Sequence, residues 1–214
     1  MPTLATTALR TAACVALLLS AGCALMGNGK SDANTVYAPE PRVQTDPSWP
    51  KVDWQLTVLN VSAPRMLDTL RIAVRPSANE VQVYKNANWS KTPSAMLEDS
   101  LLRVLEDSGR IAAVTRQGSG ITTDYRLVLD LRQFESAYRN EAGAPAATIE
   151  VHAKLLHSRD LDVVETRTFL VSRPADSVRV PEVVVAFEQA LAQVSSELVG
   201  WVLATGETHE RIKH

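Results

Sequence analysis

The chain has 214 residues, of which 45% are hydrophobic and 21% charged, with a formal net charge of −2. With no basic block and only 5% aromatic side chains, it lacks the footprint of a nucleic-acid-binding protein, which needs a positive surface and rings for base stacking. The length suits one folded domain with flanking segments and is thin for two.

The first element is an apolar run, Thr11 to Leu19, too short to cross a bilayer, which takes about 20 residues. With Arg10 before it and Ser20, Ala21 and Gly22 after it, it has the parts of a secretory signal. The small residues lead into Cys23, and the set resembles a bacterial lipoprotein signal. That resemblance implies cleavage before Cys23 (residues 1–22 being the signal peptide) and lipidation of its thiol. Cys14, the other cysteine of the chain, would leave with the signal, so the mature protein would have neither a free thiol nor a disulfide. No later segment approaches the roughly 18 consecutive apolar residues of a membrane helix, so the lipid would be the only anchor.

Residues 23–50 read as the lipidated cysteine and a flexible tether. Pro39, Pro41, Pro47 and Pro50 recur there with little periodic apolarity. As a coil such a segment spans about 30 Å, and pulled straight about 90 Å. Folded structure is expected over 51–205, followed by an acidic-polar tail over 206–214.

Trp54, Leu56 and Val58 alternate, which predicts a strand at about 52–62. Leu70, Ile72 and Val74 alternate again, and a turn at Pro76–Asn79 leads into a short strand from Val81 to Tyr84. These three are expected to form an antiparallel meander. A helix follows: Thr92 as cap, Pro93 at the first position, Glu98 and Asp99 favouring its positive end, and Gly109 as stop. Its buried stripe is Leu97, Leu101, Val104 and Leu105.

Ile111–Val114 predicts a short strand and Gly118–Gly120 a loop. Three alternating runs then mark longer strands: Tyr125 to Leu131, Ile149 to Leu155 and Val163 to Val171, with Arg159-Asp160 turning the chain before the last. A final helix is expected from Pro181 to Leu203, its stripe formed by Val184, Phe187, Leu191, Val194, Leu198 and Trp201. The sum is an α+β fold. It is a two-layer domain with a largely antiparallel or mixed sheet of about six or seven strands and two amphipathic helices on one face.

For catalysis the chain offers little. Ser119 lies between glycines but lacks the strand-to-helix elbow of a nucleophilic serine, and no phosphate-binding P-loop is present. His152 shares a strand face with Glu150 and Lys154, as expected of a charged outer surface. His152, His157 and Glu165 would have to be united by neighbouring strands to hold a metal, and their spacing fits no recognised ligand pattern. No cofactor is therefore expected. Asn60-Val61-Ser62 and Asn88-Trp89-Ser90 match glycosylation sequons, which carry no weight in a bacterial lipoprotein.

Tyr84 and Trp89, beside the polar run Lys85 to Lys91, are candidate partner contacts, because both residue types favour interface hot spots. Packing of Trp89 at the helix entry is the other reading. In the final helix Val183, Val185 and Val199 extend apolarity around the axis beyond what one sheet face needs. A second contact, with a neighbouring subunit or a lipid tail, stands beside the core reading.

Leu67, Asp68, Arg71, Tyr84, Trp89 and Pro93, followed by Asp124, Tyr125 and Phe134, form an ordered set spread over most of residues 54–203. In that order and spacing the chain resembles the auxiliary lipoproteins of ABC-type lipid transport, the group that includes paraquat-inducible protein C. The resemblance implies a non-enzymatic periplasmic partner of MCE-domain proteins, which form lipid tunnels. It would dock at the outer-membrane end or steady the complex there, with a ring-shaped homo-oligomer suiting a rotationally symmetric tunnel. Ala24 after the lipidated cysteine favours sorting to the outer membrane over the inner. The alternative function is a carrier that holds an acyl chain between sheet and helices.

Overall fold

The computed structural model describes residues 33–138 and 143–213, and from Asn34 onward they belong to one compact unit. The signal peptide, Cys23 and the first part of the expected tether lie outside the described residues.

The sheet is assembled around β6, Tyr125–Ala137. Along one edge it pairs antiparallel with β7, Ala146–His157, which pairs in turn with β8, Val163–Pro174. Along the other edge it has two parallel partners in succession. Its first half takes β2, Val52–Val58, with Leu56 opposite Tyr125. Its second half takes β3, Arg71–Ser77, with Val74 opposite Ser136. The exchange is accompanied by a register shift between Leu131 and Gln133, the kind of irregularity that bends a strand and re-aims its side chains. β5, Ile111–Arg116, lies parallel outside β2. β4, Glu80–Trp89, lies antiparallel outside β3, and β1, Thr35–Tyr37, parallel outside β4. The sheet is thus mixed, with eight strands.

The expected meander is corrected by this topology. β3 and β4 do form a hairpin, but β2 joins neither and pairs only in parallel. Alternation marks which face of a strand is buried and is silent about its neighbour.

Two helices cover one sheet face. Helix α1, Pro93–Ser108, begins as its residues dictate: Thr92 Oγ1 accepts from the Ala95 N–H, and Gly109 closes the helix at φ 58°, a left-handed conformation open to glycine. Glu98 and Asp99 fall beyond the first turn. The carboxylate that serves the helix start is Asp68, whose Oδ1 accepts from the Ser94 N–H at 3.1 Å. Helix α2, Val180–Lys213, runs about 50 Å at the usual rise. Leu127, Leu129, Leu131, Ile149, Val151, Ala153 and Leu155 present zero exposure beneath the helices.

Helix α2 outruns its expected end at Leu203, so residues 206–213 are helical and not a separate tail. Gly206 does not break it, because tertiary contact compensates its weak propensity. A side chain at this glycine would overlap the Trp54 ring, so the helix reaches the sheet closely only because the position is bare.

Residues 34–50 also correct the expectation, since they are folded against the domain. β1 adds a strand to β4, Pro41 is buried, and Trp49 is 7% exposed. Asp46 turns the chain, its carboxylate accepting from the Ser48 N–H and for that reason titrating below the usual carboxylate range. A proline-rich strand loses less conformational entropy on ordering, so a few apolar anchors suffice to hold it. Trp49 Nε1 lies where a β-carbon on Gly200 would come within 2.7 Å. Gly200→Ala is therefore expected to dislodge Trp49 at a cost of about 1–3 kcal/mol. Thermal unfolding and faster proteolysis within 34–50 would report it; an unchanged melting temperature and cleavage pattern would refute the close packing.

Where the helices meet, Ser100 of α1 and Ser195 of α2 share a buried hydroxyl–hydroxyl hydrogen bond of 2.7 Å. Either single alanine strands the other hydroxyl, an effect of about 1–3 kcal/mol, whereas the double alanine is expected to recover much of it. Urea unfolding of the three variants tests this, and equal loss in single and double variants would contradict it.

Candidate docking surface

Trp89 ends β4 at the entry to α1, and the structure puts its ring inside. It is 1% exposed and meets Phe187 edge-on at 5.1 Å and Phe134 edge-on at 6.0 Å, while Phe134 and Phe187 stack at 4.9 Å. Its buried indole N–H has no hydrogen-bond partner among the described residues, so packing holds it. Trp89 accordingly serves the core, and its ring is not presented to a partner. A sequence places Trp89 at the end of a strand but does not say that two phenylalanines, 45 and 98 positions downstream, close over it.

Tyr84 is different. It lies half-buried on the β3–β4 hairpin, its hydroxyl 2.9 Å from Ser136 Oγ. Burial is the main reason its phenol titrates above the ordinary tyrosine range. Around it the hairpin reaches solvent: Ser77, Ala78, Asn79, Glu80, Gln82 and Val83 are all exposed. The hairpin is fastened close to its turn by Arg75, whose guanidinium grips Glu135 with Nε to Oε1 and Nη2 to Oε2, while Nη1 donates to the Ala78 carbonyl. Glu135 is 2% exposed although it sits on the sheet face away from the helices. The exposed turn of the hairpin is therefore held to β6 by this ion pair.

The remaining sequence candidates are separated. His152 faces away from the helices and meets Thr168 Oγ1 at 3.0 Å. Glu165 instead turns under α2, accepting from Trp201 Nε1 at 2.9 Å and Thr205 Oγ1 at 3.0 Å. His157 meets Asp160 at 2.7 Å. The sheet thus does not unite His152, His157 and Glu165, and among the described residues no group of three or more ligand-type side chains is placed to hold a metal. The apolar surplus of α2 is largely absorbed: Val183 and Val199 are buried, and Val185 alone of the three remains exposed at 49%.

One cluster escaped sequence reasoning. At the far end of α2, Tyr125 OH lies 2.7 Å from His209 Nδ1 and 2.5 Å from Glu210 Oε1. Burial first, then the bond to Glu210, raises the Tyr125 phenol well above its ordinary range. This ties the last turns of α2 to the start of β6. A buried tyrosine hydroxyl needs a partner, but the partner lies 84 residues away, beyond any local pattern.

On α1 the acidic pair has a different use from capping. Arg116 bridges Glu98 at 2.8 Å and Asp99 at 2.7 Å, and Lys91 reaches Asp99 at 2.6 Å. Burial alone would push the Asp99 carboxyl up, but the bonds from Lys91 and Arg116 outweigh it and hold it below the usual value. A depressed carboxyl stabilises the fold above its unfolded pKa, and that contribution disappears as pH falls through the folded one. Both cations are more than half exposed, so the effect is expected to stay under about 1 kcal/mol. The stability gap between the parent and Asp99→Asn should be present at pH 6 and close on acidification; a gap that widens in acid would contradict the pairing.

A family model described as the ABC-type transport auxiliary lipoprotein component matches residues 35–199. The chain belongs to this family. The match begins at Thr35, where β1 begins, so the segment folded onto the domain is part of the shared unit. The lipoprotein is similar to the crystal structure of XCC0632 from Xanthomonas campestris at 52% identity and a TM-score of 0.80, covering 83% of this chain and 99% of that one. A crystal structure of an uncharacterized protein, 17% identical, shares the fold at a TM-score of 0.61 over 78% of this chain and 97% of that one. Among curated proteins, bll6063 of Bradyrhizobium diazoefficiens, itself uncharacterized, is 26% identical over 183 residues, covering 84% of this chain and 47% of the relative. The lipoprotein thus spans about half the length of that relative.

Proposed function

We propose that this auxiliary lipoprotein is a non-enzymatic docking component. In this reading acylated Cys23 holds it at the periplasmic face of the outer membrane, and the β3–β4 hairpin with Tyr84 engages an MCE-domain tunnel protein of an ABC-type lipid transport system. The observation that carries the reading is the family match over nearly the whole folded domain. Its structural support is an exposed hairpin whose turn is held by an ion pair between partly exposed Arg75 and buried Glu135. A turn held in place suits docking, because little conformational freedom is lost when it binds. A ring of copies would match a tunnel with rotational symmetry.

The carrier alternative finds less support. Trp89, Phe134, Phe187 and the leucines of β6 fill the layer between sheet and helices, where an acyl chain would have to lie. The test is an affinity pull-down of the mature lipoprotein from envelope membranes, with protein and lipid identification, beside a Tyr84→Ala variant. Recovery of an MCE-domain protein that falls about tenfold with Tyr84→Ala is expected, as for an interface hot spot. Stoichiometric phospholipid with no such protein would overturn docking in favour of the carrier.

A further inference from the structure

The anchored reading has a geometric consequence. Twelve peptide steps lead from Cys23 to Thr35, which reach at most about 40 Å. Because residues 34–50 are folded against the domain, that span replaces the much longer leash expected from composition. A lipid on Cys23 would hold β1 close to the bilayer.

The corner that β1 forms has the surface chemistry for such a neighbour. Val36 of β1 pairs in register with Asn88, and Asn88 pairs with Arg71 of β3, so Val36 and Arg71 flank one another across β4. The Leu70 carbonyl accepts from the Trp89 N–H at 2.7 Å, which places Leu70 at the same corner, and a tight turn from Pro64 to Leu67 precedes it. The exposed side chains here are apolar and cationic: Val36 at 59%, Met66 at 67% and Leu70 at 48% exposure, with Arg65 and Arg71 exposed. Aliphatic side chains interspersed with arginine suit the interface of a bilayer carrying anionic headgroups.

We infer that the β1 corner, through Val36, Met66, Leu70, Arg65 and Arg71, rests on the anionic bilayer surface that holds the Cys23 lipid. The inference rests on the anchoring reading above. It also orients the molecule: Tyr84 lies four residues and Glu80, at the hairpin turn, eight residues along β4 from Asn88, the latter roughly 27 Å at strand rise, so the docking hairpin extends away from the membrane-facing corner.

The test uses the mature, acylated full-length protein in vesicles of phosphatidylethanolamine and phosphatidylglycerol. Once Cys23 is acylated the mature chain has no other cysteine, so a single introduced one carries a fluorophore uniquely. Ser90→Cys places it beside β1, and Thr166→Cys places it on β8 at the other sheet edge. A headgroup-linked quencher is expected to quench the Ser90 site about threefold more than the Thr166 site. A 30-residue Gly/Ser insertion between Gly29 and Lys30 separates contact from tethering. The difference should survive the insertion and vanish when Val36→Glu and Leu70→Glu are added to it. Equal quenching at both sites, or loss of the difference on insertion alone, would overturn the inference. Intact mass of the mature protein distinguishes the two failures: an unacylated Cys23 overturns the anchoring reading together with this inference, whereas acylated protein with equal quenching overturns only the corner contact.

Discussion

Phe187→Ala is expected to destabilise the domain by about 3–5 kcal/mol, the range for deleting a buried aromatic ring. Phe187 has zero exposure and is the member of α2 that joins Trp89 of β4 to Phe134 of β6. Its loss removes the stacked and edge-on contacts together and opens a cavity that neighbours anchored on a strand and a long helix close only in part. The measurement is the urea midpoint of the purified lipoprotein domain with unchanged slope. Phe187→Leu, which refills most of the volume, should restore a large share. A loss below about 1 kcal/mol for Phe187→Ala would mean that the site collapses freely and that this aromatic cluster is not central to the core. Tyr84→Ala removes a half-buried ring from the hairpin and should cost far less stability than it costs partner recovery. That contrast separates a core aromatic from a contact aromatic.

Arg75→Met is expected to cost about 3–5 kcal/mol, because it leaves the Glu135 carboxylate buried and unpaired. Glu135 is 2% exposed and its two oxygens are both held by Arg75. Replacing both partners, Arg75→Met with Glu135→Leu, removes the stranded charge and should recover most of the loss. The double-mutant cycle, read by urea unfolding, shows whether the two act as a unit. Additive losses would refute the pairing. The recovered double variant also informs docking: if it folds but binds its partner less, the ion pair beside the hairpin turn matters for recognition beyond its part in stability.

The repeating patterns made much of the fold legible. Thr92-Pro93 and Gly109 bound α1 as expected, because caps and stops act within a few residues. Tyr125, Leu127, Leu129 and Leu131 all face the core, since a half-buried strand must alternate. The ordered set from Leu67 to Phe134 resembled the family to which the chain belongs. What such patterns could not carry was pairing at a distance. The same alternation in β2 and β3 concealed that they share an edge of β6 instead of pairing with each other. Gly206 read as the start of a tail until Trp54 supplied the contact that lets α2 continue.

At the candidate site the division is similar. Residue type singled out Tyr84 and Trp89, but burial assigned them different work: one ring closes the core and the other stands on an exposed hairpin. Glu135 drew no attention because its alternation places it on the outer face, and only the approach of Arg75 makes a carboxylate there tolerable. By itself, the sequence determined the main core strands, the first helix with its caps, the α+β class and the family. These follow from periodicity and chemistry within a few residues of each position. Only the tertiary structure decided the partners of β6, the attachment of residues 34–50 and the fates of Trp89, Glu135 and Glu165. Each of these depends on which distant side chain arrives to bury or pair a group, and spacing along the chain does not encode that encounter.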